Sequence, residues 1–112
     1  MMEKSLSIQQ RRILGAALDS ALLRALAEPA RQQILQILLE HDELDVGGIS
    51  NHLVQDRSVV SRHLRTLEQA GVVAGRREGR RVVYRLQGWQ TLDRLQGLLD
   101  TLRKVLTQCC PR

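Results

Sequence analysis

The sequence predicts a mostly helical chain with one β-hairpin in its second half, and three observations lead there. Twenty of the 112 residues are leucine and the only aromatics are Tyr84 and Trp89, so the core is expected to be aliphatic side chains packed between helices. Apolar residues recur at steps of three and four along most of the chain. Between Gly71 and Leu86 that spacing gives way to alternation. With 43% hydrophobic residues, a chain of this length has enough apolar side chain for one core, so residues 1–112 are predicted to form a single domain.

Residues 5–27 read as two helical pieces carrying Leu14, Leu18, Ala21 or Leu22, and Ala25, with Gly15 as a weak point or boundary. Glu28-Pro29 interrupts, because proline has no amide hydrogen and fits best in a first turn. A helix over about 29–40 follows, with Ile34 and Ile37 or Leu38 inward. A shorter one over about 46–54 holds Ile49 and Leu53, although Gly47 and Gly48 each cost it up to ~1 kcal/mol relative to alanine. Asp56 is a good N-cap for the next helix, whose inner stripe is Val60, Leu64 and Leu67 and which stops at Ala70-Gly71. In the alternating stretch, Val82, Tyr84 and Leu86 share one face of a strand while Arg81, Val83 and Arg85 share the other. Residues 72–77 supply its partner across Glu78-Gly79, giving a hairpin over 72–86. From 90 to 108 a leucine stripe returns at Leu92, Leu95, Leu99, Leu102 and Leu106, widened by Leu98 and Val105. Such a stripe can cover the chain's own core, a partner, or both.

The charge is localised. The net charge is +5, and the stretch from Asp56 to Arg85 accounts for all of it, with Arg57, Arg62, Arg65, Arg76, Arg77, Arg80, Arg81 and Arg85 against Asp56, Glu68 and Glu78. A basic patch of this kind points to a polyanion, and the scarcity of aromatics disfavours the stacking platforms of single-strand and RNA readers. Double-stranded DNA is the expected partner. No nucleophile stands in a spacing that suggests its base, and no glycine-rich phosphate loop follows a strand, so an enzyme is not expected. No apolar run is long enough to span a bilayer and the N-terminus has no signal-peptide core, so a cytoplasmic protein without membrane contact is expected. Two adjacent cysteines, Cys109 and Cys110, cannot be a disulfide framework.

A helical wheel gives the basic patch a shape. At about 100° per residue, Leu64 and Leu67 fall within about 40° of Val60, while Ser58, Ser61, Arg62 and Arg65 fall on the opposite side. Arginine can pair bidentately with guanine edges, and serine can bond bases or phosphates. Two helices joined by a turn (46–70), the second with this outward face, followed by a basic hairpin, have the layout of a winged helix-turn-helix. The candidate DNA contacts are Arg57, Ser58, Ser61, Arg62 and Arg65 on the helix, and Arg76, Arg77, Arg80 and Arg81 on the wing. His63, on the rim of the core, is expected to be structural. A winged-helix module that binds protein rather than DNA is the other class, but such a surface tends toward aromatic and apolar residues rather than excess charge.

The run from Ser58 to Val73, then Arg76-Arg77-Glu78-Gly79-Arg80-Arg81-Val82-Val83-Tyr84-Arg85-Leu86, resembles the recognition helix and wing of the ArsR/SmtB family of metal- and metalloid-responsive repressors. Upstream, Ala27-Glu28-Pro29-Ala30-Arg31 is similar to the family's alanine, acidic, proline, any residue, arginine signature. Val54 and Gln55 depart from the usual glycine and apolar residue of the turn. The resemblance implies a homodimeric repressor, paired through its N-terminal (5–27) and C-terminal (90–108) helices, with no permanently bound cofactor and with an inducer that loosens its hold on operator DNA.

Family members sense through several sites, and the resemblance allows each to be checked. Arsenic-sensing members often carry cysteines at the start of the first helix of the helix-turn-helix; Leu44-Asp45-Val46-Gly47-Gly48 has none. Zinc-sensing members use Asp and His along the C-terminal helix, but His41, His52 and His63 all precede it. Persulfide-sensing members use two distant cysteines, whereas these are adjacent. Some members bind trivalent arsenic or antimony at vicinal cysteines near the C-terminus, which makes Cys109 and Cys110 the candidate metalloid ligands and As(III) or Sb(III) the candidate inducer. Two adjacent thiolates supply two of the three sulfur ligands that such an ion prefers. A redox- or persulfide-responsive regulator, and one without a ligand, remain as alternatives.

Overall fold

The computed structural model describes residues 6–110; residue 5, where the predicted N-terminal segment begins, and Pro111-Arg112 lie outside the described residues. The elements are α1 (Ile8–Leu18), α2 (Ala21–Ala27), α3 (Pro29–His41), β1 (Glu43–Asp45), α4 (Val46–Ser50), α5 (Arg57–Gln69), β2 (Val73–Glu78), β3 (Arg81–Leu86) and α6 (Gly88–Cys109). Mostly helical, with a small antiparallel sheet, this is the expected class.

Local chemistry sets most of the boundaries. Ser7 and Gln10 cap α1 reciprocally, the Gln10 amide donating to Ser7 Oγ at 3.1 Å and the Ser7 amide to Gln10 Oε1 at 2.8 Å. The break between the first two helices falls at Asp19-Ser20, not at Gly15, because Ser20 Oγ accepts the Leu23 amide at 3.1 Å and starts α2 afresh. Pro29 opens α3, as its missing amide hydrogen requires. Helix α4 is shorter than the predicted 46–54. Asp45 Oδ1 caps it at the Gly48 amide, 2.8 Å, but it ends at Ser50, and the chain then turns toward α5.

Strand β1 has no counterpart among the elements expected from the sequence. At three residues it is too short to show alternation, and it exists because β3 offers it an edge: the sheet order is β1-β3-β2, with Asp45 and Arg76 both opposite Val83. The wing is therefore joined through β3 to the residues that start α4.

The innermost side chains are Ile34, Leu38, Ile49, Val60, Leu64, Leu67, Val72 and Val73. The stripe predicted for α5 is the buried one. Tyr84 and Leu86 of β3 and Leu95 of α6 pack against this core, while Val83, on the face shared with Arg81 and Arg85, is buried as well.

Helix α6 splits its leucines into two lines. Val105 and Cys109 are buried and Leu95, Leu98 and Leu102 half-buried, at steps of three and four. Leu92, Leu99 and Leu106, seven apart, remain 54%, 56% and 46% exposed. Cys109 thus continues the inner line rather than the outer one. The molecule measures 60 × 24 × 21 Å with a radius of gyration of 17.9 Å, where a compact domain of about 100 residues has about 13 Å. No helix among the described residues is long and apolar enough to cross a membrane.

Candidate nucleic-acid interface and cysteine pair

Burial of Val60, Leu64 and Leu67 fixes the roll of α5 and turns its other side outward. Arg57, Ser58, Arg62 and Arg65 are exposed and Ser61 is half-exposed. Asp56 sits at the N-cap without making a side-chain cap bond. Polar contacts tie the helix to the rest of the chain. His63 Nδ1 lies 3.3 Å from Arg31 Nη1, while Arg31 donates to the Ala25 and Arg24 carbonyls at 2.7 and 2.9 Å, closing the end of α2. His63 is half-buried, on the rim of the core. At the other end, Arg94 of α6 donates to the Ala70 carbonyl. Nothing in the sequence marks Arg94, because an arginine on an amphipathic helix is ordinary until its partner is known.

Gly71 ends α5 with φ +77°, and a Cβ there would stand 2.8 Å from Arg94 Nη1. Gly71→Ala is expected to combine left-handed backbone strain with displacement of Arg94. A loss of about 1–2 kcal/mol should follow, read as a fall of several degrees in Tm at fixed protein concentration. An unchanged Tm would show that neither the backbone strain nor the Arg94 contact matters to folding.

The wing approaches α5 closely at Gly75, whose amide donates to Glu68 Oε2 at 3.2 Å. A Cβ at Gly75 would meet Glu68 Oε2 at 3.1 Å, besides Tyr84 Cε1 and Val82 Cγ1 of the wing itself at 3.0 Å, so glycine permits the approach. Burial, and then the Glu68 carboxylate, push the Tyr84 hydroxyl above its ordinary pKa.

The wing arginines fall into two groups. Arg76 Nη1 and Nη2 donate to the two Glu43 carboxylate oxygens at 3.2 Å each, and Nη2 also to Glu78 Oε2 at 2.7 Å. Arg81 Nη1 reaches Asp45 Oδ2 at 3.4 Å. The hydrogen bond and charge of Arg76 hold the Glu43 carboxyl below its usual range; the Gly48 amide and then Arg81 do the same for Asp45. Arg77, Arg80 and Arg85, like Arg57, Arg62 and Arg65 of α5, form no side-chain hydrogen bond or ion pair among the described residues. The sequence-predicted basic face is therefore present on α5, but two of its four wing arginines are engaged internally.

Cys109 and Cys110 are joined to one another as a disulfide, with Cys109 buried at the end of α6. Among the described residues no three of His, Cys, Asp and Glu are grouped so that they could hold a metal ion.

Comparison with known proteins decides the family. Residues 28–74 match the bacterial regulatory proteins of the arsR family. The transcriptional activator HlyU of Vibrio cholerae is 34% identical over 87 residues, which cover 78% of this chain and 76% of that protein. The chain belongs to the arsR family. Another relative, the HTH-type transcriptional repressor SmtB of Mycobacterium tuberculosis, is 45% identical over 76 residues, 68% of this chain; the chain spans about half of SmtB, 54%. Among solved structures, a possible transcriptional regulator for arsenical resistance superposes with TM-score 0.65 and 38% identity, covering 73% of this chain and 83% of that one. The arsR match spans the helix-turn-helix and reaches the first residues of β2. Most of the wing, and the cysteine pair, lie beyond it.

Proposed function

We propose that this arsR-family chain is a ligand-responsive transcriptional repressor that binds operator double-stranded DNA as a homodimer and is released when trivalent arsenic or antimony binds the reduced Cys109 and Cys110. The observation that carries the DNA reading is the outward side of α5. Ser58, Arg62 and Arg65 stand exposed on a helix whose opposite side is locked in the core, and the two arginines have no internal partner among the described residues. Major-groove reading needs donors held rigidly and left unspent. The regulators among its relatives include both a repressor and an activator.

Dimerisation is supported by the elongated shape and by the apolar side chains left uncovered on α1 and α6: Ile8, Ile13 and Leu18 on one, Leu92, Leu99 and Leu106 on the other. Two-fold pairing there would present two recognition helices for half-sites about 34–36 Å apart. Metalloid induction is supported by the chemistry of paired thiolates and by the likeness to the possible regulator for arsenical resistance. The third ligand would be hydroxide, an added thiol, or a cysteine of the second copy.

The adjacency of the two sulfurs supports a second reading, in which the pair senses oxidants. There hydrogen peroxide is the oxidant: its O–O bond breaks as it accepts two electrons, the two thiols give up their hydrogens as the S–S bond forms, and two waters leave.

One experiment addresses both. The protein is reduced with a phosphine, the phosphine is removed, and binding to a duplex that the protein selects from a random pool is followed by fluorescence anisotropy. Arsenite is expected to weaken binding about 5- to 150-fold, the range of a ~1–3 kcal/mol coupling. A Cys109→Ser, Cys110→Ser variant is expected to bind the duplex but not to respond. Release of that variant by arsenite would sink the cysteine assignment, and release of the parent by peroxide but not by arsenite would establish the oxidant reading instead.

A further inference from the structure

The outer face of the sheet holds an arrangement that counting charge along the chain does not anticipate. Residues opposite one another in a sheet, and every second residue along a strand, share a face. By the register, Glu43 and Asp45 of β1, Arg81, Val83 and Arg85 of β3, and Ala74, Arg76 and Glu78 of β2 lie together. Three carboxylates thus stand among three arginines. The side chain of Arg76 reaches from β2 past the middle strand to both oxygens of Glu43 on β1, a residue 33 positions earlier, and also holds Glu78. Arg81 reaches Asp45, 36 positions earlier. The five-charge surplus of residues 56–85 is therefore reduced by two acidic side chains that come from outside that segment.

We propose that Glu43 and Asp45, with Glu78, are specificity-determining residues: they occupy Arg76 and Arg81 so that these arginines add little to sequence-independent attraction for phosphates. The inference rests on the DNA-binding reading above. A phosphate that recruits Arg76 must displace two carboxylates, one of them bidentate, whereas one that meets Arg77 or Arg80 displaces only water and counterions. Sequence-independent binding comes almost entirely from such phosphate contacts, so fewer available arginines mean less affinity for random DNA. The contribution of base edges read by α5 is left intact. The residue choice on β1 fits this role. Asp45 caps α4 through Oδ1 and pairs with Arg81 through Oδ2, two tasks of which only the first is open to asparagine.

The test uses the full chain and a mixed-sequence duplex across a series of KCl concentrations. Glu43→Gln with Asp45→Asn keeps side-chain size and the α4 cap while freeing Arg81 and leaving Arg76 with Glu78 as its one carboxylate partner. The slope of log Kobs against log[KCl] is expected to steepen by about 0.9 for each arginine that gains a phosphate, up to about 1.8. A control, Asp93→Asn with Asp100→Asn, changes the net charge equally on α6 and should steepen the slope much less. Adding Arg76→Ala and Arg81→Ala to the first pair should remove the gain. Should the doubly substituted β1 variant melt early, Glu78→Gln alone frees Arg76 from one of its two carboxylates and should give a smaller steepening of the same sign. A slope no steeper than the control's, or a gain that survives removal of both arginines, would overturn the proposal. Absence of any salt-dependent duplex binding by the parent would instead overturn the DNA reading on which it rests.

Discussion

Replacement of Leu99 by aspartate is expected to turn the proposed dimer into a monomer at micromolar concentration. Leu99 is the middle member of the exposed line Leu92, Leu99 and Leu106, and it is 56% exposed in the single chain, so it contributes little to that chain's own core. In a two-fold interface the substitution acts twice, once in each copy. Each copy would lose the burial of the exposed half of a leucine, about 0.8–1.5 kcal/mol, and would bring an unpaired carboxylate into an apolar seam at a further cost of several kcal/mol. Sedimentation velocity should report a monomer, while the circular-dichroism signature of the helices should persist. Operator binding would fall with it, since one recognition helix reads only one half-site. A soluble dimer of unaltered affinity would place the interface on α1 alone or elsewhere. The same substitution at Leu98, half-buried on the inner line, should instead lower the stability of the single chain.

Features set by neighbours along the chain are legible in the sequence itself. The α5 stripe Val60, Leu64 and Leu67, Pro29 at the first turn of α3, Gly71 at the end of α5 and the alternation of residues 81–86 each follow from a local rule, and each is found where that rule puts it. Gly15 misleads because a glycine inside a helix costs only ~1 kcal/mol, and the capping hydroxyl of Ser20 five residues later decides the break. Long-range pairings are not legible in this way. Strand β1 is defined by β3, far along the chain, as are the partners of Arg76 and Arg81; no periodicity within Glu43-Leu44-Asp45 could announce them. On α6 the stripe reads as one band, and only the packing separates Val105 and Cys109, which face inward, from Leu92, Leu99 and Leu106. The basic face of α5 is legible because the same apolar spacing that builds the core dictates what is left outside.

That outward face carries the second large effect. Arg62→Ala is expected to weaken binding to a selected duplex by about 1–3 kcal/mol, roughly 5- to 150-fold, if its guanidinium holds a guanine edge bidentately. Binding to mixed-sequence DNA should change much less, because there the same side chain makes at most one phosphate contact. Ser61→Ala, removing a half-exposed hydroxyl beside it, should follow the same pattern with a smaller loss. Arg80→Ala provides the contrast. Arg80 lies at the exposed wing turn with no internal partner among the described residues, so its removal should weaken both duplexes alike and lower the salt slope by about 0.9. Anisotropy titrations of both duplexes at two salt concentrations separate these outcomes. If Arg62→Ala and Ser61→Ala still prefer the selected duplex as strongly as the parent, base reading does not come from this side of α5, and the exposed donors there serve only to hold the backbone.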